Sequence, residues 1–275
     1  MNSLVNGLGA KGWWVAFQGI VAREVLRFVH QRERFLGALV RPLVWLFVFA
    51  AGFRAALGIA IIPPYETYIP YEVYIVPGLI GMIQLFNGMQ GSLSMVYDRE
   101  MGSMRVLLTS PLPRGFLLVA RLLGGVVVSV LQVAAFLLIV RLYGIDLPAW
   151  APLTVLPALL LNGLMLGALG MVLASTIRQL ENFAGVMNFV VFPLFFLSSA
   201  LYPLYRMEEA GELLWWLCSL NPFTHGVELI RFALYGQVDG QALAVVTGAT
   251  LLFAALAVRG YSPARGMGSR APSAG

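Results

Sequence analysis

The sequence predicts an all-α integral membrane protein with six transmembrane helices, an N-terminal amphipathic interfacial helix, and re-entrant helices between spans five and six. Two observations carry this prediction. Of the 275 residues, 59% are apolar and only 11% are charged, against about 25% charged in an ordinary soluble domain. The apolar residues also fall in runs close to the 20 or so that a helix needs to cross a bilayer. The mean hydropathy of +0.82 agrees with both. A soluble protein of this size cannot hide that much apolar surface, and a disordered chain has the opposite composition.

Six runs have the required length. They cover residues 35–53, 73–96, 117–140, 150–177, 183–204 and 241–258. The fourth is long and carries Pro152 and Pro157 near its start; the sixth is the shortest. Backbone groups in lipid must be bonded internally. The runs do not alternate apolar and polar residues as barrel strands do, so they are read as helices. The chain thereby divides into residues 1–34, a six-span domain over 35–258, and a tail over 259–275 expected to be disordered. The first run begins only at Phe35, behind a basic stretch, and reads as a retained helix rather than a cleaved leader.

Orientation follows from the basic residues. With the N-terminus in the cytoplasm, six spans return the C-terminus to the same side. Of the 18 basic residues, Arg54, Arg141, Arg206 and Arg231 then lie outside and the other 14 inside. Of the 13 acidic residues, 5 lie inside and 8 outside, so the net charge of +5 divides into +9 and −4. This is the arrangement that the positive-inside rule favours. The basic residues are scattered along span ends instead of forming one patch, so no nucleic-acid partner is expected.

Three segments outside the spans carry information. Over residues 13–34, Trp14, Phe17, Val21, Val25 and Phe28 recur at helical spacing, with Arg23, Arg27, His30 and Arg34 on another face. Such a helix suits a membrane surface, or packs on another protein surface. Between spans two and three, Asp98, Arg99, Glu100 and Arg105 precede a stop at Ser110-Pro111 and Pro113. That element is either a docking piece for a soluble partner or a solvated connecting loop. Between spans five and six, residues 213–220 are too short to span and read as re-entrant or interfacial. Trp215 and Trp216 fit an aromatic belt. Asn221-Pro222 marks a turn or helix start, and Glu228 and Arg231 can pair on one helix face. His225 is expected to satisfy a local hydrogen bond.

The chemistry available is narrow. One cysteine, Cys218, excludes an intrachain disulfide framework, and two histidines, His30 and His225, leave little for a metal site. No catalytic or metal site is expected. The one lysine, Lys11, lies between Ala10 and Gly12. A phosphate-binding P-loop needs Gly-Lys before Ser or Thr, so ATP hydrolysis by that route is excluded for this sequence. Within the spans, Gln84, Asn87 and Gly91 share a face of span two. They serve helix packing or, with Phe192 and Phe196 of span five, a translocation path. Gly163, Gly167 and Gly170 permit close helix contact, and Arg54 is expected to reach toward headgroups.

Two stretches resemble a known family. One is Asp98-Arg99-Glu100-Met101-Gly102-Ser103, followed by Leu107, Leu108 and Thr109-Ser110-Pro111. The other is Ser198-Ser199-Ala200-Leu201-Tyr202-Pro203, with Leu220-Asn221-Pro222-Phe223-Thr224 and then Glu228 and Arg231. In this order among six spans they resemble the membrane permease subunits of ABC-2 type ABC transporters, in particular those of bacterial drug, lipo-oligosaccharide and polysaccharide export. Ser103 stands where threonine is commoner in the family. The resemblance implies a half-transporter in the bacterial inner membrane that pairs with a second copy of itself and with two copies of a separate ABC ATPase. It implies that the ATPase holds ATP and Mg while this chain binds no cofactor. It further implies that Asp98, Arg99, Glu100, Gly102, Ser103, Arg105, Ser110 and Pro111 belong to the ATPase-docking element. Tyr202, Pro203, Asn221, Pro222, His225, Glu228 and Arg231 would belong to the outer re-entrant loop. Membrane lipid and a transported substrate are the remaining partners. The rival readings are an ATPase-independent channel, an intramembrane enzyme and a membrane assembly protein. His30 and His225 fall on opposite sides, and no acid lies deep in a span, which weighs against the enzyme and against proton coupling.

Overall fold

The computed structural model describes residues 10–30, 32–53, 63–100, 113–177 and 179–260. Among them the secondary structure is helical. The first helices are α1 Ala10–His30, α2 Arg32–Phe53, α3 Tyr71–Glu100 and α4 Arg114–Leu142. They are followed by α5 Ala151–Thr154, α6 Leu156–Thr176 and α7 Leu180–Phe196. The last are α8 Leu204–Ala210, α9 Glu212–Ser219, α10 Pro222–Leu234 and α11 Gly240–Gly260. Among the described residues three helices are by themselves long and apolar enough to cross a membrane: α4 over Gly115–Leu142, α6 and α11. α2 and α7 hold shorter apolar stretches, Leu39–Val48 and Glu181–Phe196. α3 has 30 residues, but Gln84, Asn87 and Gln90 dilute its apolar run.

Two of the expected runs are not filled by a single helix. The run over 150–177 is not one helix but the short α5 followed by α6. Pro157 lies in the first turn of α6, where a missing N–H costs nothing. In an uninterrupted helix it would deprive the Leu153 carbonyl of its donor. The run over 183–204 ends as a helix at Phe196, and Leu204 already belongs to α8. Leu197 leaves helical geometry with ψ 54°. The Ser198 hydroxyl bonds back to the Phe195 carbonyl at 2.6 Å and accepts from the Ala200 N–H at 3.2 Å. Serine side chains that bond locally in this way compete with helix propagation.

α1 packs on α4. Phe17, Val21, Val25 and Phe28 turn inward, as their spacing requires, while Trp14 stays exposed and stacks on Phe17 with ring centres 5.7 Å apart. Trp13 meets Phe116 edge-on at 4.9 Å. Further along, Glu24 lies against Gly124, so α1 and α4 run in the same direction. A protein-packed apolar stripe, left open by the sequence, is therefore present within this chain.

α3 is the central helix and touches α2, α4, α6, α7 and α10. Its side chains Tyr74, Ile75, Leu79, Ile80 and Leu85 are fully enclosed. Contacts of Gln84 with Leu159 and Asn162, and of Gly88 with Leu166, show that α3 and α6 run parallel. Asn87 with Gln132, and Gly167 with Leu122, show that α4 runs antiparallel to both. The glycines of α6 face these neighbours: Gly163 abuts Gln84 and Val126, Gly167 abuts Leu122, and Gly170 abuts Ser92 and Gly88. The small-residue pattern thus serves packing inside one chain.

Close packing at Gly88 yields a stability prediction. A Cβ there would fall 2.9 Å from the Leu166 carbonyl group, too close for either backbone to accept. Gly88→Ala should destabilise by about 1–3 kcal/mol through overpacking. Gly248→Ala, where a Cβ meets nothing within 4 Å, should be neutral or stabilising. Thermal unfolding of both variants in detergent, followed by size-exclusion fluorescence, checks the difference; equal melting would refute the packing argument.

Candidate functional site

Polar side chains meet at two places in the bundle. The first is a seam on α3. Gln84 donates from Nε2 to the Leu159 carbonyl at 2.7 Å, and its Oε1 accepts from Asn162 Nδ2 at 2.8 Å. One turn further, Asn87 Nδ2 donates to Gln132 Oε1. Gln84, Gln132 and Asn162 are buried, so their amides must be bonded inside the protein. Gln132 Nε2 and Asn162 Oδ1 nevertheless have no partner. Asn162 Oδ1 instead lies against Gly226 of α10, at a distance that leaves no space for a side chain there.

The second is the segment after α7. Asn221 caps α10 by accepting from the Phe223 N–H at 2.9 Å. Its Nδ2 donates to the Leu194 and Leu197 carbonyls at 2.8 and 2.6 Å. One residue thus starts one helix and satisfies carbonyls at the end of another, which α7 cannot satisfy itself. Pro222 follows in the first turn, where its fixed φ suits a helix start. Thr224 Oγ1 donates to the Cys218 carbonyl at 2.7 Å, and His225 Nε2 donates to the Ser219 carbonyl at 2.8 Å. Both close the end of α9. Deeper in α10, Arg231 is 1% exposed. It donates to Glu228 Oε1 at 2.7 Å and to the Ser199 carbonyl at 2.9 Å, and its guanidinium lies 4.0 Å over the Tyr74 ring. The Tyr74 hydroxyl donates to the same Ser199 carbonyl at 2.9 Å, and Tyr71 donates to the Leu201 carbonyl at 2.8 Å. Tyr65, in the loop before α3, has its hydroxyl pushed above the ordinary range by burial, against the opposing pull of Arg231.

The expected outer-loop residues are therefore brought together, although not all in one role. Asn221, His225, Glu228 and Arg231 bond the α7 to α10 segment into one unit. Tyr202 is half-buried against the core, and Pro203 caps α8. The expected path residues are not brought together. Gln84 and Asn87 face α6 and α4, whereas Phe192 and Phe196 stack on the exposed side of α7 with centres 6.1 Å apart, Phe196 reaching Trp45 of α2 at 5.7 Å. The backbone of Asp98, Arg99 and Glu100 forms the last turn of α3. Their side chains, and all of Gly102, Ser103, Arg105, Ser110 and Pro111, lie outside the described residues, as does Arg54. Sequence reasoning missed Gln132, Asn162, Tyr65, Tyr71 and Tyr74. Gln132 and Asn162 carried the signal that drew attention to Gln84, a carboxamide within an apolar run. Among the described residues no group of three or more His, Cys, Asp or Glu could hold a metal ion.

Removing the buried guanidinium leaves Glu228 and the Ser199 carbonyl without their charged donor. Arg231→Ala should cost about 3–5 kcal/mol, as for other broken buried pairs, while Glu228→Gln, which retains an acceptor, should cost less. Melting of the two variants in detergent checks the order; an Arg231→Ala protein as stable as the parent would refute the clamp.

Known proteins share these elements. A family model described as ABC-2 type transporter matches residues 15–235, from α1 through α10. A protein of Porphyra purpurea named as a transport permease, ycf38, is 26% identical over 226 residues, covering 81% of this chain and 74% of that protein. Nodulation protein J of Rhizobium leguminosarum bv. viciae is 23% identical over 205 residues, 74% of this chain and 75% of its own length. A protein of Escherichia coli (strain K12) named as a multidrug ABC transporter permease, YbhR, is 27% identical over 170 residues, 61% of this chain but 45% of that protein. The family match takes in both the central helix α3 and the capped α7 to α10 segment, and this chain belongs to the ABC-2 type transporter family.

Proposed function

We propose that this chain is the membrane permease subunit of an ATP-driven exporter, working as a pair of copies with two copies of a separate ABC ATPase. The family match over residues 15–235 carries the reading, because it includes the segment from Asp98 to Pro111 as well as the apolar helices from α2 to α7. Six spans are formed by α2, α3, α4, α6, α7 and α11, with α8, α9 and α10 as the outer re-entrant segment and both termini in the cytoplasm. The membrane is the bacterial inner membrane, and α1 lies at its cytoplasmic surface. ATP and Mg belong to the ATPase, and this chain contributes no catalytic group.

The length of α3 supports the coupling role. Thirty helical residues span about 45 Å at 1.5 Å each, longer than the ~30 Å hydrocarbon layer. The surplus length, with the charges of Asp98, Arg99 and Glu100 at one end, supports a projection of that end beyond the lipid on the side with most of the basic residues. Movement of an ATPase docked there is transmitted along α3, which touches five other helices. Trp45, Phe192 and Phe196 form an apolar strip shared by α2 and α7. A second copy pairs along this strip, and the substrate passes between the copies. Relatives named as a transport permease and a multidrug permease support transport as the task and leave the cargo open.

Co-expression with an ABC ATPase from the same operon tests the assignment. The two chains should co-elute and hydrolyse ATP in lipid nanodiscs. Glu100→Ala should lower the coupled ATPase rate by about tenfold, the effect of losing one charged docking contact of about 1.4 kcal/mol, with membrane insertion unchanged. A chain that binds no ATPase refutes the exporter reading and favours an ATPase-independent channel or a membrane assembly role.

A further inference from the structure

Two arginines lie over aromatic rings of α3, and their surroundings differ. Arg231, over Tyr74, is enclosed and bonded to Glu228 and the Ser199 carbonyl as well. Arg41 of α2 is exposed, and its guanidinium lies 3.9 Å over the Phe86 ring. Among the described residues that guanidinium has no ion-pair or hydrogen-bond partner, so its N–H donors are unspent. Gln90, one turn beyond Phe86 on α3, is half-buried and also lacks a hydrogen-bond partner among the described residues.

Arg41 does not sit at the end of an apolar run. It falls within the apolar stretch Leu39–Val48 of α2. Phe86 lies 14 residues after Glu72 and 12 before Asp98 on α3, about 21 and 18 Å along the helix. With α3 as a span, the ring and the cation over it lie near the centre of a ~30 Å layer. An arginine that only reached for headgroups would turn toward the charged end of the helix. A cation at such depth faces protein or a water-filled cavity, and it marks a route for ions or substrate.

Arg41 also adjoins the apolar strip. Trp45 follows it by one turn on α2 and meets Phe196, which stacks on Phe192. The carboxylates of α2 and α7 are Glu33 and Glu181. They stand 8 residues from Arg41 and 11 from Phe192, about 12 and 16 Å away along their helices. Where two copies meet along this strip, each brings the same cation to the shared seam, and neither helix brings an acid to that level. The counter-charge is left to a third molecule. A guanidinium fork fits two oxygens of a phosphate at once, and the aromatic strip fits an apolar chain.

We infer that Arg41 is the anion-binding residue of the translocation path, and that the cargo is an amphiphile with a phosphate-type oxyanion. Its head lies on Arg41 and its apolar chain along Trp45, Phe192 and Phe196. The inference rests on the two-copy exporter reading and names the class of its substrate. Binding is measured without ATP or ATPase, so its failure leaves that reading to be decided by co-elution and ATP hydrolysis.

The test uses the purified full-length chain in phosphatidylcholine nanodiscs with radiolabelled dodecyl phosphate. Dodecyl maltoside and dodecyltrimethylammonium, which carry the same chain on a neutral and a cationic head, serve as competitors. Dodecyl phosphate should bind about tenfold tighter than either. Arg41→Gln should abolish this preference by weakening dodecyl phosphate about tenfold. Arg41→Lys, which keeps the charge but not the fork, should weaken it less. Phe192→Ala should weaken all three probes alike, and Arg259→Gln, in the last turn of α11, should leave all three unchanged. Phosphatidylglycerol added to the discs separates cargo from bulk lipid: weak displacement of dodecyl phosphate supports a cargo, and displacement as strong as by dodecyl phosphate itself overturns it. Equal binding of the three probes, or an Arg41→Gln protein with the parent's preference, overturns the inference. If Arg41→Gln does not remain monodisperse, Arg41→Met, suited to an apolar run, takes its place with the same expected loss.

Discussion

The Arg231 guanidinium is almost wholly enclosed, and a cation away from water is tolerated only where its charge and its N–H groups are matched. The match comes from three parts of the chain: Glu228 on its own helix, the Ser199 carbonyl in the turn after α7, and the face of Tyr74 on α3. Position 231 thus ties α10 to the central helix and to the turn that ends α7. Because Tyr74 bonds the same Ser199 carbonyl, the turn is held from both sides. Asn221, Thr224 and His225 extend the arrangement by satisfying the exposed ends of α7 and α9. The short helices between the last two apolar runs therefore form part of the packed body.

The other constraint is polarity inside an apolar bundle. Without water to compete, a carboxamide in lipid must find a partner in the protein. Gln84, Asn87, Gln132 and Asn162 partner one another across α3, α4 and α6, and glycines on α6 and α10 allow the approach.

Much of this was legible beforehand because its causes are local. Asn221-Pro222 reads as a helix start since both residues act on their own backbone, and Glu228 with Arg231 reads as a pair since three residues on a helix make them neighbours. His225 reads as a local hydrogen bonder and is one. The breaks at Val155 and after Phe196 were less legible. Each sits within an unbroken apolar run, and the signal for it was a proline or serine whose effect depends on the surrounding helix. Gln132 and Asn162 were missed as partners because they lie 45 and 78 residues from the groups they bond.

The sequence by itself determined that the chain is built of apolar helices, and which residues start and stop several of them. Composition, charge placement and capping act within a few residues, so they can be read in order along the chain. Tertiary structure decided which surface each helix offers to which neighbour. It set Gln84 and Asn87 apart from Phe192 and Phe196, enclosed Arg231, and closed the space at Gly88. These outcomes depend on distances between helices far apart in the chain, and no local pattern encodes such a distance.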